Sequence, residues 1–454
     1  MTLIAKESGA APHAATDPPE SGAPPPSPPS PPSPVEKASS GQIWQLVIAL
    51  ALITTVFVVA GLGDLLLFIA LLFAIVMLHE LGHFATAKWS GMKVTEYFVG
   101  FGPRLWSIRR GETEYGVKAI PAGGYVRITG FTVLEDVAAE DEPRTYRQQP
   151  FWKRIIVGSA GSAMHFLIAF ILALISVFAF GMTTNDVKIA ALEHWSGVAQ
   201  TPAQRAGLQA GDVIVSVNGR ALTNVNTVHD VITHSAGKSV SLGVERDGTL
   251  RTIEVTPRDG RGITVDGVQL APPSDTHAVG FIGISEEAAT SSVSPLRAFG
   301  DAGSFLGQDT SLEFSALVHA FSPSGLSSIY HDVINSHAAE QAANTTGSSE
   351  RPVSIVGAGN LGAQAVHDGL QTLLGLLIII NIAFGLLNML PILPFDGGHV
   401  AVAVYEWIRT KKGEPYYRAD ITKLFPFIAP FLIVLGLFAL SLLFLDIAHP
   451  VHLP

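Results

Sequence analysis

Two histidines and a glutamate lie within five residues at the end of an apolar stretch, in the order His79-Glu80-Leu81-Gly82-His83. On a helix, residues four apart share one face, so both imidazoles can bind one metal ion while Glu80 stands within reach of a water molecule at the metal. This arrangement suits zinc hydrolysis. Zinc polarises a carbonyl and lowers the pKa of water to about 7, and the glutamate passes the proton to the leaving amine. The alternative is that these side chains only cap a transmembrane helix at the headgroup level.

A third protein ligand is expected, because catalytic zinc usually has three plus water. Asp396 is the best candidate. It follows an apolar run that ends at Leu390, in a segment broken by two prolines and two glycines (Asn388 to His399). Non-helical backbone at membrane depth is tolerated only where it lines a cavity or packs against protein. The alternative is a helix stop at the membrane surface, with Asp396 an ordinary cap.

The remaining histidines in apolar surroundings are predicted not to bind the metal. A lone His165 is more often a structural residue, although it could hydrogen-bond near the metal or substrate. His399, His449 and His452 are likewise taken as non-ligands.

The composition indicates which elements position these residues. Of 454 residues, 48% are hydrophobic and 15% charged, and the mean hydropathy is +0.37. Soluble domains carry about 25% charged residues, so the chain is predicted to be a membrane protein. Absence of cysteine excludes disulfide scaffolds, thiolate zinc sites, iron-sulfur proteins and cysteine nucleophiles. A net charge of -10 argues against a nucleic-acid partner.

Five apolar runs could cross a bilayer, which needs about 20 residues of helix. The first two are either separate helices joined by a tight turn at Gly61 to Asp64 or one long broken helix. The runs lie at 43–62, 65–89, 155–182, 370–390 and 425–445.

Charge asymmetry predicts the orientation. The loop 90–154 carries ten Lys and Arg, and the loop between the last two runs adds five more. The positive-inside rule places both loops in the cytoplasm, and residues 183–369 outside. The tail at 1–41 contains 11 prolines and is predicted to be disordered or polyproline, with a PxxP ligand as one possible role.

Two soluble elements interrupt the apolar runs. Between Glu96 and Val126, large and small residues alternate as in a β-hairpin with its turn at Arg109 to Glu112. The alternative is a cytoplasmic hairpin that only covers the site. Residues 187–258 contain short strands and turns, and the stretch Ser196 to Asp212 resembles a PDZ domain of bacterial membrane proteases. Such domains accept a peptide as an added strand. The peptide-binding loop is expected before Ala206, with residues 196–226 facing the groove. The alternative is a spacer without ligand.

Several motifs in one order resemble the site-2 protease family of intramembrane zinc metalloproteases, in its PDZ-containing bacterial branch (peptidase family M50, regulator of sigma-E protease type). The resemblance covers roughly residues 65–450. It rests on the zinc motif, Tyr97-Phe98-Val99-Gly100-Phe101-Gly102-Pro103, Ile120-Pro121-Ala122-Gly123-Gly124-Tyr125-Val126, the PDZ-like stretch, Arg351 to Gly357, and Asn388 to Gly397.

The resemblance implies the roles of particular residues. It implies that His79, His83 and Asp396 bind Zn²⁺, that Glu80 is the general base, and that Asn388, Gly100, Gly102 and Pro391 contact substrate. It also implies that the β region pairs with unwound substrate. One departure is that the family's Gly-Pro and Asn are replaced by the stretch Gly158 to His165, whose small residues still allow close packing on the catalytic helix.

The predicted fold is a polytopic α-helical membrane protein with four or five transmembrane helices, a membrane-associated β-hairpin or sheet, and an inserted extracytoplasmic PDZ domain. The predicted divisions are a tail at 1–41, helices with the zinc motif at 42–90, the β region at 91–154, a helix at 155–182, the PDZ-like domain at 183–285, a post-PDZ region at 286–369 and two helices at 370–454.

The predicted function is regulated cleavage, at the bacterial cell membrane, of single-pass membrane proteins in or near their transmembrane segment. By resemblance, the substrates are anti-sigma factors or remnant signal peptides; the other partner is the lipid bilayer. The alternatives are a non-catalytic membrane PDZ scaffold with a residual metal site, and a metal transporter. The intact Glu80 argues against the scaffold, and the large insertion argues against the transporter.

Overall fold

A computed structural model describes residues 40–131, 135–195, 198–224, 226–265, 268–269, 278–291, 294–334, 352–411 and 416–448. The tail predicted for 1–41 lies outside this part of the chain except for its last two residues. The same holds for Ser196, Gly197, Arg351, His449 and His452.

Four helices of the described ranges are long and apolar enough to cross a membrane. They are α2 (Gly63–Trp89), α3 (Phe151–Phe180), α9 (Leu370–Asn388) and α11 (Phe425–Ala448), the last preceded by a 3₁₀ turn at Ile421–Leu424. The first apolar run forms a separate helix, α1 (Ser40–Val59), joined to α2 by a turn at residues 60–62. The interpretation as two helices is therefore confirmed, and that as one long broken helix is wrong.

Close packing of α2 on α3 follows from small residues on both helices. A Cβ at Gly82 would lie 2.6 Å from the carbonyl oxygen of Ala160, so only glycine permits this approach. The same stretch of α3 carries Gly161, which lies against α2 at His79 and His83. The prediction that the small residues of α3 allow close packing on the motif helix is confirmed.

The β region consists of two long antiparallel strands, β1 (Val94–Arg110) and β2 (Thr113–Ile128), with the turn at Gly111 and Glu112 as predicted. Each strand folds back on itself. Tyr97 pairs with both Val126 and Tyr115, and Tyr115 also pairs with Ile108. The hairpin thus forms four segments side by side, with residues 124–128 at one edge and 104–110 at the other.

A second unit contains a mainly antiparallel sheet of order β12-β3-β4-β6-β7, with β5 paired to β4. Its core includes Val187, Ile214, Leu242, Val228 and Ile232. Because β12 completes the sheet, the unit runs from residue 182 to 291, past the boundary predicted at 285. Its elements are β3 (Met182–Leu192), α4 (Pro202–Ala206), β4 (Val213–Val217), β5 (Arg220–Ala221), α5 (Asn226–Thr233), β6 (Val240–Arg246), β7 (Thr249–Val255), the short β8 (Arg258–Asp259), β9 (Thr264–Val265), β10 (Val268–Gln269) and β11 (Gly280–Phe281), and β12 (Ile284–Ser291).

Four further helices complete the described chain: α6 (Pro295–Ala320), α7 (Pro323–Ile334), α8 (Ile355–Asp368) and α10 (Asp396–Arg409). Helix α6 packs on α3 and α9, and α8 packs on α2. At the start of α8, Ser354 caps the helix, and its backbone N–H donates to the buried carboxylate of Asp446 near the end of α11, at 2.5 Å.

Candidate metal centre

Three side chains from two helices meet inside the bundle and form what we term the donor group: His79 and His83 of α2 and Asp396, the first residue of α10. Their ligand atoms all lie within 4.8 Å of one another. The Nε2 atoms of His79 and His83 are 3.6 and 3.2 Å from Oδ2 of Asp396. The structure therefore brings together the three residues that the sequence predicted as metal ligands.

The chemistry of the donor group fits a metal ion. Nδ1 of His83 donates to the carbonyl oxygen of Val157 at 2.8 Å, which leaves Nε2 of the neutral ring with a lone pair. That lone pair faces a carboxylate oxygen at 3.2 Å, so a cation between the two atoms makes the contact favourable. Ligand atoms of tetrahedral zinc with bonds of about 2.1 Å are about 3.4 Å apart, close to both observed separations.

Gly161 of α3 forms the floor of this site. A Cβ at this position would lie 2.4 Å from Nε2 of His83, 2.6 Å from Nε2 of His79 and 2.3 Å from Cε1 of His79. Any larger residue would therefore displace the imidazoles or occupy the space between them. The absence of a side chain at Gly161 keeps the donor atoms accessible.

The β region lies against the other side of the motif. A Cβ at Gly124 would be 2.6 Å from Sδ of Met77 and 3.6 Å from Cγ of Glu80. The Tyr97 hydroxyl donates to the carbonyl oxygen of Met77 at 2.8 Å, which ties β1 to the motif helix. The edge segment 124–128 is thus the part of the sheet that passes beside Glu80.

An ion-pair cluster holds the hairpin turn on the far end of α2. Glu112 accepts two hydrogen bonds from Arg144, at 2.7 and 2.9 Å, and one from Lys88 at 2.6 Å. These donors, Arg144 first and Lys88 second, hold the pKa of the Glu112 carboxyl at about 2 against the effect of partial burial.

His165 of α3 lies next to His79 but is not part of the donor group. Its ring centroid is 4.9 Å from that of His79, and its side chain is fully enclosed. Nδ1 lies 3.0 Å from Oδ1 of Asn381, whose Nδ2 donates to the carbonyl oxygen of Leu377 at 2.7 Å. Because the amide nitrogen of Asn381 donates to Leu377, the atom that faces His165 is the amide oxygen, which can only accept. Nδ1 of His165 therefore carries the proton. His165 is outside the donor group, and its role as a non-ligand stays a prediction.

The segment between α9 and α10 brings Asp396 to the histidines. The backbone turns through residues 389–395, and the glycines that follow allow it to return over the start of α10, because a Cβ at Gly397 would lie 2.2 Å from the Met389 carbonyl oxygen. Asn388 is the last residue of α9, and Pro391 is exposed in the turn. Neither side chain makes a hydrogen bond to the donor group in the described part of the chain, so their contacts with substrate stay a prediction.

Gly100 and Gly102 lie at the corner where β1 bends. Both have positive φ, +81° and +80°, and a Cβ at Gly100 would be 2.8 Å from the carbonyl oxygen of Ile120. These glycines shape the sheet from which the edge segment 124–128 approaches Glu80. The contacts described here are all within the protein, so the predicted contact of the two glycines with substrate stays a prediction.

His399 is one turn beyond Asp396 and packs on Phe131, with ring centroids 4.1 Å apart. It is not part of the donor group, and its predicted absence from the metal ligands stays a prediction. Sequence reasoning missed the partner of His165: Asn381 is the only polar residue in the middle of an apolar helix, which was the available signal.

A cavity of about 320 Å³ in the 182–291 unit lies between α5 and residues 280–286. Its walls include Ile232, Phe281, Ile282 and Ile284. The sequence placed a peptide groove at residues 196–226. That groove stays a prediction. The cavity of the described chain begins at α5 and includes the start of β12, whose other side pairs with β3.

These features define a class: a polytopic membrane protein with a metal-binding group of two histidines and one aspartate buried among its helices. The family model of peptidase family M50 matches residues 67–431, and the chain belongs to that family. It is a membrane-embedded zinc metalloprotease.

Curated proteins are similar in sequence to this chain over most of its length. The zinc metalloprotease Rip1 of Mycobacterium bovis is 34% identical over 376 residues, covering 76% of this chain and 86% of the relative. Rip1 of Mycolicibacterium smegmatis is 33% identical over 370 residues, covering 77% and 87%. A putative zinc metalloprotease of Nostoc is 29% identical over 347 residues, covering 76% and 86%.

Proposed function

We propose that the chain cleaves single-pass membrane proteins within or beside their transmembrane segment, and that the donor group binds the catalytic Zn²⁺. The convergence of His79, His83 and Asp396 from two helices carries this proposal. Bound there, zinc supplies Lewis-acid polarisation of a carbonyl and a more acidic water.

The chain's own residues supply the remaining chemistry. Glu80 lies next to His79 on the motif helix and beside the sheet edge, so its carboxylate is the general base. It removes a proton from the attacking water and delivers it to the leaving amine, which separates the two product chains. His83 is kept in its metal-binding tautomer by the Val157 carbonyl oxygen.

Substrate binding is proposed along the edge segment 124–128. A transmembrane helix hides its scissile carbonyl within its own hydrogen bonds, and in a water-poor site a new backbone partner must replace them. Residues 124–128 pair on one side with β1 and pass Glu80 at Gly124. An unwound substrate strand added to this edge would bring its carbonyl next to the general base.

The 182–291 unit is proposed to be a PDZ-like domain outside the membrane. A peptide added to the free edge of β12 would place side chains in the cavity against α5. This docking would admit substrates already shortened by another protease. Anti-sigma factors and remnant signal peptides have the required single-pass form, and we propose them as the substrate class.

The test of the function is a comparison of two variants with the native chain, each assayed for zinc content and for cleavage of a model transmembrane substrate. Glu80→Gln is expected to retain zinc without cleavage, and Asp396→Ala to lose both. Full cleavage by Glu80→Gln would overturn the proposed mechanism, and zinc binding without cleavage by the native chain would favour the scaffold alternative.

A further inference from the structure

A second cavity, of about 280 Å³, lies between the start of α3, helix α10 and the segment that leads into α11. Three arginines line it: Arg147, Arg154 and Arg418. Among the described residues that line it, Glu406 is the one that is acidic. Helix α10 also contributes His399 to the wall, one turn from Asp396.

The positive charge in the walls is only partly compensated. Arg154 of α3 donates to Glu406 of α10 at 2.6 Å, and both side chains are almost fully buried. Glu406 also accepts the Ala419 N–H at 2.7 Å and lies 3.7 Å from Arg418. One carboxylate therefore serves two guanidinium groups, while Arg147 pairs with Glu142 outside the cavity. Burial lowers the pKa of Arg418, and repulsion from Arg154 lowers it further.

Unused hydrogen-bond donors cluster at the same place. Among the described residues, seven buried side-chain polar atoms have no hydrogen-bond partner. One of them, Nε of Arg154, belongs to a wall residue; two others, the hydroxyls of Tyr416 and Thr129, belong to residues next to wall residues. Tyr416 packs under the guanidinium groups of Arg154 and Arg418, at 5.9 and 4.8 Å, and Thr129 precedes the wall residue Gly130. Buried donors without acceptors are costly, so this grouping favours an acceptor-rich ligand.

The cavity lies at the ends of two candidate membrane spans, where a bilayer is expected to change from hydrocarbon to headgroups. Arg154 is in the first turn of the membrane-spanning α3, and Arg418 lies just before the candidate span that starts at Ile421. Trp152 and Trp407 flank these elements and are about half exposed, as expected of an aromatic belt. The two loops richest in Lys and Arg meet here, on the face proposed to be cytoplasmic.

We propose that this cavity binds the phosphate group of an anionic phospholipid. Phosphate oxygens can accept from Nε of Arg154 and from the guanidinium group of Arg418, both in the cavity wall, with the Tyr416 ring packed against both groups. Basic pockets between transmembrane helices at the cytoplasmic side are suited to such headgroups. The bound lipid would join α3, which carries Gly161, to α10, which carries Asp396.

The test uses the full chain purified in a neutral detergent and titrated with phosphatidylglycerol, with phosphatidylcholine and with sodium phosphate. Bound lipid is counted by native mass spectrometry, and thermal midpoints are measured in parallel. The variants are Arg418→Gln and Tyr416→Phe. Arg409→Gln is the matched control, because Arg409 is exposed at the end of α10 and does not line the cavity.

We expect phosphatidylglycerol to bind and to raise the midpoint, and Arg418→Gln to weaken binding about tenfold, with Arg409→Gln unchanged. Stabilisation by sodium phosphate alone, lost in Arg418→Gln, would support the phosphate site and identify free phosphate as a source. Equal binding of phosphatidylcholine, or equal binding by Arg418→Gln and Arg409→Gln, would overturn the proposal. Since neither variant touches the donor group, the result does not depend on the catalytic proposal.

Discussion

Nδ1 of His165 lies 3.0 Å from Oδ1 of Asn381, and the oriented ring packs against His79. This contact joins α3 and α9 to the motif helix. It matters because Nδ1 of His79 is buried and has no hydrogen-bond partner in the described part of the chain, whereas Nδ1 of His83 is held by Val157. The position of His79 therefore depends on the rings and backbone around it.

Replacing His165 by Ala is expected to weaken zinc binding by about 10- to 100-fold, the usual effect of removing support behind a metal ligand. Asn381→Leu should have a smaller effect in the same direction, because the ring remains but loses its fixed orientation. Zinc transfer to a competing chelator measures both. His367→Ala, a change at an exposed histidine, is the control. Unchanged zinc affinity in His165→Ala would show that the contact is only packing.

Gly161→Ala is expected to weaken zinc binding more than the His165 substitution, because its Cβ would meet both imidazoles at less than 3 Å. The control is Gly436→Ala in α11, where a Cβ meets no atom within 4 Å. Zinc content after dialysis and the thermal midpoint should both fall in the first variant only. Normal zinc content in Gly161→Ala would mean that the helices can separate at little cost.

Glu80→Gln and Asp396→Ala separate metal binding from proton transfer. Because Glu80 is outside the donor group, its amide variant should keep zinc and lose at least about a hundredfold in cleavage rate, within the usual range for a general base. Asp396→Ala should lose zinc as well. Zinc analysis and single-turnover cleavage are the two measurements, and zinc loss in Glu80→Gln would contradict the assignment.

The Glu112 cluster predicts a pH-dependent stability. Hydrogen bonds from Arg144 lower the carboxyl pKa from 4.5 to about 2, so the stabilisation is present above about pH 4.5 and is lost as the pH falls through about 2. Glu112→Gln should lower the thermal midpoint at pH 7, and its difference from the native chain should shrink as the solution is acidified. Glu140→Gln, at an exposed position, controls for loss of one charge. A difference independent of pH would exclude the ion pair as its cause.

Excision of residues 182–291 tests the docking role of this unit. Its ends are adjacent, since Ser291 pairs with Met182, so a short Gly-Ser linker can replace the whole unit without separating α3 from α6. We expect the shortened enzyme to cleave substrates that have not been trimmed. If untrimmed substrate stays intact while trimmed substrate is still cut, the size-filter role is wrong.

Local sequence patterns predicted the elements that carry the chemistry. The spacing of His79 and His83 is a property of any helix, and apolar runs located α2, α3, α9 and α11 to within a few residues. Asp396 was a candidate because it is an acid in a broken apolar segment, but that pattern left an ordinary helix cap open. The resemblance to the family implied its role as a ligand.

Features that depend on distant pairing were not predicted. In the four-segment sheet of β1 and β2, Tyr97 pairs with residues of two different segments. The alternation of residue types along the sequence does not predict this pairing. The Asn381 partner of His165 and the Glu406 partner of Arg154 are 216 and 252 residues away in the chain. Such contacts follow from the packing of helices, which a single sequence does not specify.

His83 and Asp396 are 313 positions apart in the chain. At a synthesis rate of about 5 to 20 residues per second, roughly 15 to 60 seconds separate the appearance of the first imidazoles from that of the carboxylate. A nascent chain therefore holds an unfinished centre while its early helices are already in the bilayer. The three-ligand centre can therefore form only after Asp396 has been synthesised, so the early part of the chain cannot catalyse hydrolysis by this route while the rest is still being made.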